Sequence, residues 1–205
     1  MTIRREGRMR APKLRELKEA VIALVLGPYT AKFPAAPTPV PSSFRGRPKH
    51  DEKECVGCGA CFNVCPAAAT EMEDNVETRT RKFTIHLDRC IYCGQCELNC
   101  LTKKGVVLST DYDLATTDRS TLRQTVEKKL LMCETCGAVI GAEDHVKWVA
   151  RRLGPLAFAN PTLLLAAMQD QGLADREPAG TTELRRGDRL RVQCPKCRQV
   201  TALIV

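Results

Sequence analysis

An α+β fold is predicted by three observations. The cysteine pattern C-x2-C-x2-C-x3-C occurs twice between Cys55 and Cys100, with the copies offset by 35 residues. Short runs beside it alternate apolar and polar residues, as half-buried strands do. On either side of this region apolar residues recur at helical spacing, and a further pair of C-x2-C turns lies toward the C-terminus.

The doubled cysteine pattern organises the rest. Its first copy is Cys55, Cys58, Cys61 and Cys65, followed by Pro66; its second is Cys90, Cys93, Cys96 and Cys100. Three cysteines spaced three apart wrap one loop around three corners of a cube, and soft thiolates suit iron–sulfur chemistry. The spacing resembles the bacterial ferredoxin run, in which the fourth cysteine of each copy reaches the other cluster. The resemblance implies two [4Fe-4S] cubanes. Cys55, Cys58, Cys61 and Cys100 would hold one, and Cys90, Cys93, Cys96 and Cys65 the other. Gly57, Gly59 and Gly94 sit between ligands, where a missing Cβ lets backbone N–H groups approach inorganic sulfur. Pro66 ends the turn that carries Cys65; the second copy has Leu101 there, a departure that weakens the second motif slightly without breaking it, because proline is not a ligand. A disulfide set or a zinc cluster is the competing reading, and the doubled spacing speaks against both.

Composition narrows the class. Hydrophobic residues make up 43% of 205, which excludes a disordered chain. Aromatics are only 4%, so the core is expected to rest on aliphatic side chains and metal centres. Twelve cysteines would suit a secreted disulfide scaffold, but their C-x2-C pairing and the lack of a signal-peptide pattern point to metal sites in a reducing compartment. Of a net charge of +8, six units fall in residues 1–54, where 12 Lys or Arg face 6 Asp or Glu. A basic chain suits nucleic acid, anionic lipid or an acidic partner. With aromatics sparse and no nucleic-acid motif, a membrane surface or a partner subunit is expected.

Residues 1–10 form a basic tail, and Pro12 suits a first helical turn. Leu14, Leu17, Val21, Leu24 and Val25 make a helical stripe that Gly27-Pro28 stops. The run is far shorter than the roughly 20 residues of a spanning helix. It is expected to dock on a partner or lie in the lipid interface; covering the protein's own core is the alternative. Pro34, Pro37, Pro39, Pro41 and Pro48 then make a stiff, extended arm.

Within the core, residues 69–74, 82–87 and 105–109 read as strands, with His86 on the solvent side. Residues 120–131 read as a helix capped by Ser120, with Leu122, Val126, Leu130 and Leu131 on one face. The last cysteines, Cys133, Cys136, Cys194 and Cys197, form two knuckles suited to a tetrahedral zinc site. A third iron–sulfur centre, mononuclear iron or free thiols are the alternatives. Between the knuckles, helices are expected at 142–153 and 161–171, the second capped by Asn160 and Pro161 and stopped by Gly172. Strands are expected at 190–193 and 200–205, which makes this a zinc-ribbon-like module. His145 is read as a helix-surface residue.

This order of parts is similar to a known family. A short N-terminal helix, an arm ending Phe44-Arg45-Gly46-Arg47 and two cubane motifs resemble the two-cluster ferredoxin subunit of respiratory complex I and of membrane-bound group 4 [NiFe] hydrogenases. The late knuckles resemble the formate hydrogenlyase and hydrogenase-4 type of subunit. The resemblance implies a peripheral subunit on the cytoplasmic side of the cell membrane, contacting membrane or other subunits and relaying electrons through two [4Fe-4S] clusters. Residues 1–50 are expected to dock, 51–110 to form the ferredoxin domain, and 111–205 to form a linker helix and zinc module separable from it. No dinucleotide fingerprint, activated nucleophile or open zinc position is visible, so no catalytic residue, small-molecule substrate or nucleic acid is expected. A complex I-type subunit, a free soluble ferredoxin and a zinc-ribbon nucleic-acid binder are the other readings.

Overall fold

The computed structural model describes residues 13–27, 30, 32–174 and 190–203. Expectations for the basic tail, Pro12, Pro28 and the last two residues lie outside them. The chain forms two compact units, residues 1–41 and 42–205.

In the first unit, α1 (Leu14–Leu26) is the expected helix. Glu16 in its first turn accepts a hydrogen bond from the Lys13 N–H at 3.0 Å, which holds a carboxylate at the positive end of the helix dipole. Gly27, at φ 78°, ends the helix, and its N–H donates to the Ala23 carbonyl. No residue of α1 is buried, and Leu14 and Leu24 are 90% and 85% exposed.

The second unit begins with two half-motifs of the same design. One is β1 (Pro48–His50), the first cysteine loop, α2 (Ala60–Asn63) and β2 (Thr70–Asn75). The other is β3 (Thr80–His86), the second loop, α3 (Gln95–Leu98) and β4 (Val106–Leu108). β1 pairs antiparallel with β4, and β2 with β3, so each half lends its first strand to the other half's second. The halves share their backbone path at the 35-residue offset: positive φ recurs at Gly57 and Tyr92 (71° and 54°), Gly59 and Gly94 (81° and 79°), and Ala68 and Lys103 (47° and 60°). Tyr92, Ala68 and Lys103 tolerate a region that costs most L-residues about 1 kcal/mol, so the loop geometry overrides local preference.

Residues 120–131 are not a helix. After a 3-10 turn, Arg119–Thr121, capped by Asp118 rather than Ser120, the chain enters β5 (Arg123–Met132). Leu122, Val126 and Leu130 are four apart, a spacing that fits a helix face and a strand face equally. The open edge of β3 decides between them. β5 pairs with it from Thr80↔Lys129 to His86↔Arg123, and β6 (Val139–Ala142) then pairs with β5. The result is one sheet of order β2-β3-β5-β6 that crosses residue 110 without a break.

Behind this sheet lie α4 (Glu143–Leu153), a 3-10 segment (Gly154–Ala159) and α5 (Pro161–Asp170). Asn160 caps α5 by accepting the Thr162 N–H at 3.1 Å. Gly172, at φ 69°, follows as expected. Strands are absent at 190–193 and 200–203: residues 190–194 form a turn and non-strand segment, and α6 (Pro195–Leu203) carries the rest. Pro195 in the first helical position starts that helix, since its missing N–H is one the helix would leave unpaired.

One core gathers Phe83, Ile85, Leu87, Val106 and Val126 around Cys61; a second gathers Leu131, Val146, Ala166 and Val192. His86 is buried rather than solvent-facing, with Nε2 2.8 Å from Glu71 Oε2.

Candidate metal centres

The two cysteine loops enclose two cavities, and the thiols sort across the loops. One cavity is lined by Cys55, Cys58, Cys61 and Cys100, the other by Cys90, Cys93, Cys96 and Cys65. The crossing follows from the strand pairing: β2 and β4 return past the opposite loop, and each fourth cysteine stands just before one of them. α2 and α3 are single turns, each ending with an N–H of its fourth cysteine bonded to a carbonyl three residues back, Cys65 to Phe62 and Cys100 to Glu97. Gly105 packs where a Cβ would lie 3.0 Å from the Cys55 Cα and 3.3 Å from the Cys100 sulfur.

The thiols are unequal in their tendency to ionise. Burial pushes Cys61 up to about 12 and Cys96 up to about 11. Burial acts the same way on Cys65, but the N–H groups of Ala69, Thr70 and Ala67 outweigh it and hold its thiol below the usual range. Cys100 is likewise lowered against burial, by the Thr102 hydroxyl and nearby N–H groups. Hydrogen bonds to a charged sulfur favour it, and the same donors serve a metal-bound thiolate. The residues present therefore fit two cubanes: four thiols per cavity, apolar walls and N–H donors at the sulfurs.

The walls differ. His50 and Phe83 line the first cavity, and their counterparts at the 35-residue offset, Ile85 and Pro48, line the second. His50 stacks on Phe83 (centroids 6.5 Å apart), and burial holds it down to about 4, hence neutral near pH 7. Neither ring nitrogen makes a hydrogen bond of good geometry, although the Gly105 carbonyl is near enough to oppose part of the burial effect. Residues of the C-terminal half also close over the first loop. A Cβ on Gly57 would lie 2.8 Å from the Ala142 Cβ and 3.2 Å from the Lys128 stem. None of these neighbours was read from the sequence. Extending the 35-residue offset beyond the cysteines would have exposed His50 against Ile85.

The remaining four cysteines meet at one point. The sulfurs of Cys133, Cys136, Cys194 and Cys197 all lie within 4.8 Å of one another. The first pair sits in the β5–β6 hairpin, where the Cys133 backbone carbonyl accepts the Gly137 N–H at 2.9 Å and Gly137 takes φ 71°. The second sits at the start of α6, with the Cys194 sulfur 3.5 Å from the Cys197 N–H. The sulfurs of Cys136 and Cys194 are 3.7 Å apart, close to the tetrahedral edge of about 3.8 Å that metal–sulfur bonds of about 2.3 Å require. Backbone N–H groups of Cys136, Cys194 and Thr135 overcome burial to bring Cys133 down to about 7, while burial and its neighbouring thiols push Cys197 up. Four thiolates so close repel unless a cation joins them, so the set fits a structural dication.

Buried polar residues brace this site. Glu134 accepts the Val192 N–H at 2.9 Å, and the Gln193 amide donates to Thr135 and Thr201. His145, on α4, is half-buried and not among the gathered ligands.

Comparison with known proteins agrees with this architecture. Residues 54–104 match a family described as a 4Fe-4S dicluster domain. Formate hydrogenlyase subunit 6 of Escherichia coli is 31% identical over 122 residues, covering 60% of this chain and 67% of that protein. NADH-quinone oxidoreductase subunit I 2 of Geobacter metallireducens is 33% identical over 98 residues, covering 43% of this chain and 74% of that protein. Among solved structures, a chain of the membrane-bound sulfane sulfur reductase, an archaeal respiratory membrane complex, is 26% identical with a TM-score of 0.39, over 59% of this chain and 65% of that one. On this combination of paired cluster loops and relatives, the chain belongs to the family of two-cluster 4Fe-4S electron-transfer subunits that contains formate hydrogenlyase subunit 6 and the I subunits of NADH-quinone oxidoreductases.

Proposed function

We propose that the chain relays single electrons within a membrane-associated hydrogenase or formate hydrogenlyase-like complex. Cys55, Cys58, Cys61 and Cys100 hold one [4Fe-4S] cluster, and Cys90, Cys93, Cys96 and Cys65 hold the other. The observation that carries this reading is the sorting of thiols: each cavity takes three from one loop and the fourth from the other. When bound, the clusters supply reversible one-electron chemistry; the chain's own residues supply the thiolates, the N–H donors and the apolar walls.

The four gathered sulfurs are assigned to one structural zinc. Residues 1–50 attach the subunit, 51–110 carry the clusters, and 111–205 carry the zinc and a strand that completes the cluster domain's sheet. No helix among the described residues is long and apolar enough to cross a membrane. The exposed leucines and valines of α1 instead suit docking on other subunits of the complex at the cytoplasmic face of the membrane. Burying five such side chains contributes roughly 1.5–3 kcal/mol each before ordering costs.

A complex I-type assembly is the second reading, supported by the quinone-oxidoreductase relative. The formate hydrogenlyase reading is favoured because that alignment extends over 60% of this chain. Anaerobically purified protein is expected to carry eight irons and one zinc; twelve irons, or four, would overturn the assignment. Co-purification with a nickel-containing subunit separates the hydrogenase reading from the complex I one.

A further inference from the structure

The cysteine loops are built alike, but the charges around them are not. Arg81 of β3 donates from Nη1 to the Gly57 carbonyl at 3.2 Å, between two ligands of the first loop. Lys128 of β5 lays its stem against Gly57 and donates from Nζ to the Glu52 carbonyl. Both cations are shielded from water, at 12% and 9% side-chain exposure. Each has a carboxylate partner, Asp74 at 2.6 Å and Asp144 at 3.2 Å, but those are 27% and 49% exposed. Solvent therefore screens the opposing anions more than the cations.

The second loop has no such cover among the described residues. Arg45 and Lys103 near it are exposed, and Arg89 is paired with Glu71 at 2.5 Å on the surface. Its cavity wall carries Ile85 where the first carries His50.

We propose that the Cys55/Cys58/Cys61/Cys100 site is the higher-potential of the two, and that Lys128 and Arg81 are the positioning residues that make it so. Reduction adds one negative charge to a site. A buried cation nearby stabilises that charge more than a solvated one does. An electron that enters at the Cys90 loop reduces that site; when it passes on, the Cys90 site is re-oxidised and the Cys55 site reduced, one electron for one. The inference rests on the electron-relay reading. It gives the C-terminal half a role in conduction that sequence spacing does not, because Lys128 arrives on β5.

The test is a redox titration of the full-length, anaerobically cluster-loaded chain, followed by electron paramagnetic resonance. The unmodified protein is expected to show two separate midpoints. Lys128→Met lowers the higher midpoint alone, by about tenfold in the reduction equilibrium, or about 59 mV for a one-electron couple. Lys128→Arg keeps it. Should Lys128→Met fail to load its clusters, Arg81→Gln is read by the same criterion. A shift of the lower midpoint, an equal shift of both, or a Lys128→Arg protein that falls as far as Lys128→Met overturns the proposal. The iron count separates the two levels: an unmodified chain with fewer than eight irons removes the electron-relay reading, whereas eight irons with equal midpoints removes only this inference.

Discussion

The cubane region and the four-thiol region use the same side chain in opposite ways. In the first, seven of eight cysteines are half-buried, in cavities between strands and loops. In the second, Cys133, Cys194 and Cys197 are buried, and a hairpin and a helix start bring all four sulfurs to one point. Half-burial leaves a redox centre near the surface, where a partner can approach. A closed set of four sulfurs leaves no open position and suits a structural ion. The contrast teaches that cysteine count alone does not separate conduction from scaffolding; the supporting element does. Strand pairs and one-turn helices frame the two four-thiol cavities here, and a hairpin facing a helix N-terminus brings four sulfurs to one point.

The largest way to break this comparison is to cut between the regions. A chain ending at Ser109 loses β5 and with it one of the two partners of β3, leaving only β2. Phe83 and Ile85, 1% and 2% exposed, lose the cover of Val126, at a cost of roughly 1.5–3 kcal/mol for each side chain laid open. Spacing alone suggested that such a chain would keep both clusters. The continuous sheet leads to the opposite expectation, fewer than eight irons per chain, with the first loop failing first because Lys128 and Ala142 cover it. Iron analysis of the anaerobically reconstituted truncation decides it.

Next in size are single ligand changes. Cys65→Ser should halve the iron to about four per chain by removing the cluster of the Cys90 loop, and Cys100→Ser should remove that of the Cys55 loop. Spectra in which each change damages its own loop instead would refute the crossed assignment. At the four-thiol site, Cys136→Ser and Cys194→Ser should abolish zinc binding and lower the melting transition of the C-terminal half, because metal binding there is part of the folding free energy. Iron should stay near eight per chain if β5 still pairs with β3; parallel zinc and iron analysis with thermal melts tests both points. The smallest effect on the metals is expected from Leu17→Asp with Leu24→Asp: full iron and zinc, but release of the subunit from its complex, read by membrane fractionation. A doubly substituted chain that stays assembled would show that α1 is dispensable for docking.

The grouping of the cysteines, the loop geometry and three helices were legible in the sequence because they depend largely on residues close in the chain. A cysteine every third position wraps a loop whatever lies around it, the 35-residue repeat reproduces the same positive-φ positions twice, and Asn160-Pro161 caps α5 through a bond two residues long. What only the tertiary structure decided depends on distant neighbours. Leu122, Val126 and Leu130 satisfy helix and strand periods alike, and it was the unpaired edge of β3, about 40 residues earlier, that made them a strand. The second knuckle became a helix start where flanking strands were expected, with Gln193 buried beside it and hydrogen-bonded to Thr135 of the first knuckle 58 residues back. His50 and Lys128 look like surface residues in the sequence. The fold buries both beside the first cluster loop, and burial is a property of everything that packs against a residue, which no local pattern encodes.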